Sequence, residues 1–358
     1  MKNILIVTGG SGGHVIPSIS IFEHLSGKFN VKIVTDLRGS RFIDKSKFNY
    51  ELIDVPNLFS KPYLLPINIL KYINIIFKSL IFLNKKNINI IISTGGYMTF
   101  PFCIAAFFLN KKIILLEPNS VLGRANKFAL NFSSKIICYD LNLKNFPNKQ
   151  NSKKIKLEPI LKKEIYNIQK NKNHFDENII KLLILGGSQG AYFFDKTIVE
   201  LILDLSKKLN LKIIQQISDK NILTDLEKVY DKENIEYEFF EFTTNSNDIF
   251  NGVNFAITRA GASTLTELSF LKIPFISIPL PTAKDNHQFC NANYYYKNNC
   301  CWIVDQNKFE TKKVSELIFE IFLNKENYIE KVNNLERITK KNTWNNVNKN
   351  IIEIINEN

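Results

Sequence analysis

His14 follows directly on Gly9-Gly10-Ser11-Gly12-Gly13, and a neutral imidazole at such a loop-to-helix transition can remove a proton near pH 7. Glycines let the main chain approach a ligand closely, and the helix that follows offers unpaired N–H groups at the positive end of its dipole. A second cluster, Gly186-Gly187-Ser188-Gln189-Gly190, lies in the other half of the chain. Two such turns point to diphosphate chemistry. A lone histidine more often caps or packs; the glycine-lined setting is what makes His14 a candidate base.

Thr94-Gly95-Gly96-Tyr97 and Glu117-Pro118-Asn119 each follow a strand-like run, at the carboxyl end where open α/β sheets hold their ligands. Glu117 can be a second carboxylate base or a hydrogen-bond partner for a sugar. In Arg259-Ala260-Gly261-Ala262-Ser263-Thr264-Leu265-Thr266-Glu267, small residues let backbone N–H groups reach a base or phosphate. Glu267 then falls one turn into the helix, where a carboxylate can accept both hydroxyls of a ribose. The competing reading makes Ser263 and Thr264 caps, with Glu267 near a capping-box position. Lys284-Asp285-Asn286-His287-Gln288 and Asn291 suit sugar hydroxyls, or form an ordinary solvated loop.

The elements that must hold these residues are strands with continuous apolar, β-branched runs, the mark of burial on both faces of a parallel sheet. They are Ile4–Val7, Lys32–Thr35, Ile88–Ser93, Ile113–Leu116 and Lys135–Tyr139, then Leu182–Leu185, Lys212–Gln216, Phe255–Thr258 and Phe275–Ile278. With helical stretches between them they predict an α/β fold of two Rossmann-like, doubly wound parallel-sheet domains facing a cleft. The boundary is expected near Asn151–Lys163, a polar, lysine-rich stretch around Pro159. Trp344, Val347, Ile351 and Ile355 form a stripe suited to docking on a domain.

At 358 residues, 45% hydrophobic and 23% charged, the chain can bury two cores. Its 5 cysteines have no C-x-x-C spacing, against a disulfide framework or zinc site and in favour of a reducing cytoplasm. Met1 leads straight into a strand, so no signal peptide is expected. The net charge of +13 favours polyanionic partners without choosing among them. In Leu64–Lys86, Lys71, Asn74 and Lys78 interrupt the apolar run, against a spanning helix. Ile69, Ile73, Ile76, Leu80 and Leu83 share one helical face, either core or a membrane-surface patch, with the abundance of other apolar residues tilting toward the membrane.

The first glycine loop misses G-x-G-x-x-G because Val15 stands where the last glycine belongs, and it lacks the P-loop lysine. Asp36, at the end of the second strand, keeps a nicotinamide enzyme in competition as a ribose-binding acid. A sugar-nucleotide epimerase on the same fold competes as well, as does a non-catalytic membrane-surface scaffold that retains a nucleotide-binding cleft.

Taken in order, GGSGGHVIP (Gly9–Pro17), TGGYMTFP (Thr94–Pro101), EPNSVLGRANK (Glu117–Lys127), GGSQGA (Gly186–Ala191), RAGASTLTE (Arg259–Glu267) and DNHQFCNA (Asp285–Ala292) resemble the MurG family of peptidoglycan glycosyltransferases, of the GT-B fold and family 28. The resemblance implies an inverting enzyme that transfers N-acetylglucosamine from UDP-N-acetylglucosamine to the C4 hydroxyl of the muramyl-pentapeptide in lipid I, giving lipid II. It implies an acceptor and membrane-side domain over 1–157, a donor domain over 158–339, and a helix over about 340–358 packing back on the first. By the same resemblance Ser188 and Gln189 lie near the donor diphosphate, and Thr243 is a further donor contact. Ala262, Ser263 and Thr264 line the nucleotide, Glu267 binds the ribose, and His287 and Gln288 address the sugar. Ser11, Gly12, Gly13, Gly95 and Gly96 face the acceptor diphosphate, with Tyr97, Glu117, Asn119 and Asn126 in the same cleft, and His14 matches the family's proposed base. No cofactor, metal or nucleic acid is implied. Implied partners are the two substrates, an anionic membrane surface and cell-wall synthesis proteins, at the cytoplasmic face of the inner membrane. The chain departs from the family pattern at Leu116 and Pro118, which replace histidine and glutamine, and at Leu161, which replaces an arginine; Lys162 and Lys163 stand nearby as candidate substitutes.

Overall fold

The computed structural model describes residues 1–55, 65–168, 179–187, 191–217, 219–241 and 245–357. The chain divides into two compact units, Met1–Lys163 with Thr343–Asn358, and Glu164–Asn342.

The first unit carries strands β1 (Asn3–Val7), β2 (Asn30–Thr35), β3 (Tyr50–Leu52), β4 (Ile90–Ser93), β5 (Lys112–Glu117), β6 (Lys135–Cys138) and β7 (Lys154–Lys156). They form one parallel sheet in the order β3-β2-β1-β4-β5-β6-β7. Alternate residues feed two cores. Leu5, Val7, Ile91, Leu115 and Ile136 face one layer, and Ile4, Ile6, Ile90, Ile92, Ile114 and Ile137 the other, as a doubly wound sheet requires. Helices α1 (Gly12–Leu25), α2 (Leu65–Lys85), α3 (Thr99–Phe108) and α4 (Arg124–Ala129) connect the strands. Within the lysine-rich stretch expected as linker, Lys154–Lys156 is the edge strand of this sheet.

α5 (Lys163–Asn167) leads into the second unit. Its strands are β8 (Ile180–Leu185), β9 (Leu211–Gln216), β10 (Glu236–Phe240), β11 (Phe255–Thr258), β12 (Phe275–Ser277) and β13 (Cys301–Ile303), all parallel in the order β10-β9-β8-β11-β12-β13. Helices α6 (Ala191–Ser206), α7 (Leu223–Lys232), α8 (Ser246–Phe250), α9 (Ala262–Phe270), α10 (His287–Lys297), α11 (Thr311–Leu323) and α12 (Lys325–Thr339) complete it.

α13 (Trp344–Asn356) returns to the first unit. Its Asn-rich sequence has weak helix propensity, but Val347, Ile351, Ile354 and Ile355 are buried in the layer that α1 also fills, worth on the order of 2 kcal/mol each. At its carboxyl end Lys2 Nζ donates to the Ile355 carbonyl at 3.2 Å, and Lys112 Nζ to those of Ile354 and Ile355 at 3.1 and 3.4 Å and to that of Glu357. Cations there complement both orphan carbonyls and dipole. At its other end Trp344 stacks on His24, ring centroids 3.8 Å apart.

By length and composition alone, Ile67–Lys85 suffices to cross a membrane. As the connection from β3 to β4 of one parallel sheet it is a crossover helix. Its packed face is Asn68, Tyr72, Ile75, Ser79 and Leu83. The face expected to be shared by Ile69, Ile73, Ile76, Leu80 and Leu83 is therefore rotated. Ile69 and Ile73 join Ile67, Leu70, Phe77 and Ile81 on the exposed side, and only Leu83 of that set is buried. The exposed side of the helix thus carries large apolar side chains together with Lys71, Lys78 and Lys85.

Candidate active site

In each sheet the strand order reverses beside the first strand of the unit, between β1 and β4 and between β8 and β11. Connections from two such neighbours leave in opposite directions and open a crevice at their carboxyl ends. In the first unit the crevice is flanked by Gly9–Gly13 and Thr94–Tyr97, in the second by the loop from Gly186 and by Arg259–Gly261.

In the first unit Gly10 has φ +84°, a conformation strained for any side chain. Ser11 then N-caps α1 with extended backbone and no side-chain cap bond, and the first turn of α1 contains no acidic residue. His14 N donates to the Ser11 carbonyl at 3.0 Å, which leaves the N–H groups of Gly12 and Gly13 without an intrahelical acceptor, so an anion from outside is their natural complement. His14 Nδ1 lies 2.8 Å from the Thr94 carbonyl oxygen. A carbonyl only accepts, so Nδ1 carries a hydrogen there, and in the neutral ring this tautomer places the lone pair on Nε2. A Cβ on Gly95 would stand 2.8 Å from His14 Cε1, which is why the imidazole needs glycine beneath it. Ser11, Gly12, Gly13, His14, Gly95, Gly96 and Tyr97 thus share one corner of the sheet.

Glu117 is buried and accepts four hydrogen bonds: from Asn119 N at 3.2 Å, Asn119 Nδ2 at 2.9 Å, Gly123 N at 2.8 Å and Asn126 Nδ2 at 3.0 Å. That donor set holds the loop into α4 and occupies the carboxylate, against the expectation of a second base. Asn126 also donates to the Leu116 carbonyl at 2.9 Å, while its Oδ1, in a residue 2% exposed, has no partner among the described residues. Asp36 is fully buried. Its Oδ1 accepts from Gly10 N and Gly39 N, each at 2.8 Å, and its Oδ2 from Arg38 Nε and Nη2 at 3.0 and 2.7 Å. No oxygen is left for a ribose, which removes the feature that favoured a nicotinamide enzyme. Leu161 and Lys162 are buried in this unit, and Lys163 sets its ammonium 6.0 Å over the Trp344 ring.

In the second unit Gly187 has φ +67°, and its N–H donates to Gln216 Oε1 at 3.0 Å. Ser188, Gln189 and Thr243 lie outside the described residues. Gly261, not serine or threonine, N-caps α9, without a side-chain cap bond and with no acidic residue in the first turn. The capping reading of Ser263 and Thr264 therefore fails, since both lie inside the helix. Ser263 Oγ is buried without a partner among the described residues, a cost of about 1–3 kcal/mol that a ligand could relieve. Glu267 follows on the same helix, half-buried. Asn291 Nδ2 donates to the Ala260 carbonyl at 3.1 Å and Gln288 Oε1 accepts from Leu280 N at 2.9 Å, which sets the start of α10 beside that of α9. His287 turns Nδ1 to the Lys284 carbonyl at 2.8 Å. Ala262, Ser263, Thr264 and Glu267 are thus brought near His287 and Gln288.

Sequence reasoning passed over Arg259 as a side chain, although it opens the RAGAST motif. It is 5% exposed, donates from Nη1 to the Ile278 carbonyl at 3.0 Å, and lies 4.8 Å over the Phe194 ring. Burial pushes its pKa down to about 10, which leaves it charged at neutral pH, a fixed cation beside the glycine turn.

Comparison with known proteins extends this picture. The crystal structure of Acinetobacter baumannii MurG has the same fold, with a TM-score of 0.75 at 20% identity, covering 99% of each chain. Two such α/β units with glycine turns at their switch points are the architecture of the GT-B glycosyltransferases. The chain belongs to glycosyltransferase family 28: the family's N-terminal domain model matches residues 4–138 and its C-terminal domain model residues 181–347. The UDP-N-acetylglucosamine–N-acetylmuramyl-(pentapeptide) pyrophosphoryl-undecaprenol N-acetylglucosamine transferase of Pelagibacter ubique (strain HTCC1062) is 43% identical, covering 100% of this chain and 99% of its own. That of Rickettsia bellii (strain RML369-C) is 35% identical over 90% and 92%.

Proposed function

We propose that this chain is an inverting glycosyltransferase that moves N-acetylglucosamine from UDP-N-acetylglucosamine to the C4 hydroxyl of the muramyl-pentapeptide of lipid I, making lipid II for peptidoglycan. The observation that carries the reading is whole-length similarity, at 43% identity, to a transferase named for that reaction. The chemistry is consistent with His14. As the C4 oxygen attacks the anomeric carbon, Nε2 takes its proton; Nδ1–H stays on the Thr94 carbonyl. The bond from the anomeric carbon to the departing phosphate oxygen breaks, and its electron pair leaves with UDP. One displacement inverts the centre. N–H groups at helix starts without first-turn acids suit the two diphosphates, so this reading needs no metal or cofactor. In it Ser188, Gln189, Thr243, Ala262, Ser263, Thr264 and Glu267 hold the nucleotide, and His287 and Gln288 the sugar. Ser11, Gly12, Gly13, Gly95, Gly96, Tyr97, Asn119 and Asn126 line the acceptor side, with Glu117 organising its loop.

The enzyme would work as a peripheral protein at the cytoplasmic face of the membrane. Leu70, Phe77 and Ile81 share an exposed apolar side of α2, and Phe107 and Phe108 are exposed at the end of α3. Lys71, Lys78 and Lys85 recur along α2 at heptad spacing and are all exposed, a pattern suited to an anionic bilayer interface. Incubation of the folded protein with UDP-N-acetylglucosamine and a lipid I analogue should release UDP and form the disaccharide lipid. Absence of both would overturn the reading.

A further inference from the structure

We propose that Arg38 is a phosphate-binding residue of the acceptor site, holding the diphosphate of the lipid-linked acceptor at the rim of the first glycine turn. This rests on the transferase reading above. Arg38 lies two residues beyond Asp36 and is fixed from two sides. Nε and Nη2 donate to Asp36 Oδ2, and the guanidinium lies 5.0 Å over the Tyr97 ring. Its side chain is nevertheless 44% exposed, and Nη1 has no hydrogen bond among the described residues. The buried carboxylate that fixes it also holds Gly10 N and Gly39 N. One anion thus sets both the glycine turn and the cation beside it, an arrangement that orders a guanidinium before its ligand arrives.

A second donor belongs to the core cluster against which Tyr97, the ring beneath Arg38, packs. Tyr72 is 4% exposed, and its hydroxyl has no partner among the described residues. Burial pushes its pKa up to about 12, so the phenol keeps its proton and can only donate to an incoming acceptor or stay unpaired. A buried phenol without an acceptor is unfavourable, and a phosphate oxygen would satisfy it. Guanidinium, phenol and the first-turn N–H groups of α1 are all donors, and the Asp36 oxygens are already taken. A ligand rich in acceptor oxygens fits such a set. Two substrates carry a diphosphate, and Tyr72 decides between them: it sits on α2, whose opposite side is the exposed apolar surface, so the lipid-borne diphosphate is the one assigned to Arg38.

Titration of the whole protein with farnesyl diphosphate and, separately, with UDP tests this in wild type, Arg38→Met and Arg38→Lys. Arg38→Met should weaken farnesyl diphosphate binding about tenfold or more, with UDP binding and kcat within about twofold and acceptor KM rising by the same factor as the binding loss. Arg38→Lys should recover part of that loss. Should Arg38→Met not fold, Tyr72→Phe, which keeps the ring in the core, should show a smaller loss of the same selectivity. Equal farnesyl diphosphate binding in the variants and wild type, or a loss confined to UDP, would overturn the proposal. Arg38-dependent binding in a wild type that releases no UDP with lipid I would sink the reaction assigned above and leave the anion site standing.

Discussion

The two glycine turns occupy equivalent places in their sheets, yet they are locked by different chemistry. In the first unit the pins are carboxylates: Asp36 ties Gly10 to Gly39 and Arg38, and Glu117 gathers four donors beneath the loop into α4. In the second they are amides and a buried cation: Gln216 on Gly187, Asn291 on the Ala260 carbonyl, and Arg259 between Ile278 and Phe194. A topology can therefore be repeated while its charges are redistributed. The first unit spends its buried acids on architecture and presents the His14 imidazole, whereas the second keeps Glu267 on α9, where the proposed function uses it on the ribose.

The contrast can be broken by substitution. The largest effect is expected from His14→Ala, which should lower turnover about 10²–10⁴-fold while leaving UDP binding unchanged; turnover near wild type would remove the base. Asp36→Ala leaves two buried N–H groups and a guanidinium without their acceptor and should cost about 3–5 kcal/mol in denaturant unfolding of the first unit, against about 1 kcal/mol for Gln216→Ala in the second. Equal losses would mean that the charge of the latch is immaterial. Glu267→Ala should weaken UDP-N-acetylglucosamine about 10–100-fold in a binding titration with a smaller change in kcat. An unaltered titration would remove the ribose contact.

The smallest effect concerns pH and again separates the units. Burial lowers the pKa of His24 from its ordinary 6.5. The Asn348 amide, with its NH₂ toward Nδ1, donates at 2.6 Å, and Nε2 faces the Leu161 carbonyl at 3.1 Å, a neutral tautomer with both nitrogens used. The unfolded chain then binds the extra proton more readily, so this contribution is full above 6.5 and is lost as pH falls from there toward the lower folded value. Melts of wild type and His24→Gln from about pH 5 to about pH 8 should converge at the acid end. Parallel curves would exclude the linkage.

How much the sequence revealed depends on where an element lies in its sheet. The strands legible as continuous apolar runs, from Ile4–Val7 to Phe275–Ile278, are all interior. The four that were not, β3, β7, β10 and β13, are the two edges of each sheet. An edge strand is short and needs no unbroken apolar run, as Lys-Ile-Lys in β7 illustrates. The glycine turns were legible because positive φ demands glycine. Asp36 was not, because its principal donors are backbone N–H groups that only folding brings to it. Whether the α2 face meets protein or a membrane surface stayed open in the sequence, because helical periodicity reports which residues share a side, not what that side meets.

The return of α13 to the first unit has a consequence for biosynthesis. The second unit is contiguous in sequence, so a ribosome releases everything it needs in one stretch. The first must wait with the hydrophobic layer between α1 and the sheet uncovered, and with Lys2 and Lys112 lacking the carbonyls they grip, until Thr343 and the residues after it have emerged. The half of the molecule translated first is thus the half finished last, and truncation of the tail should damage the amino-terminal unit and spare the one beside it in sequence.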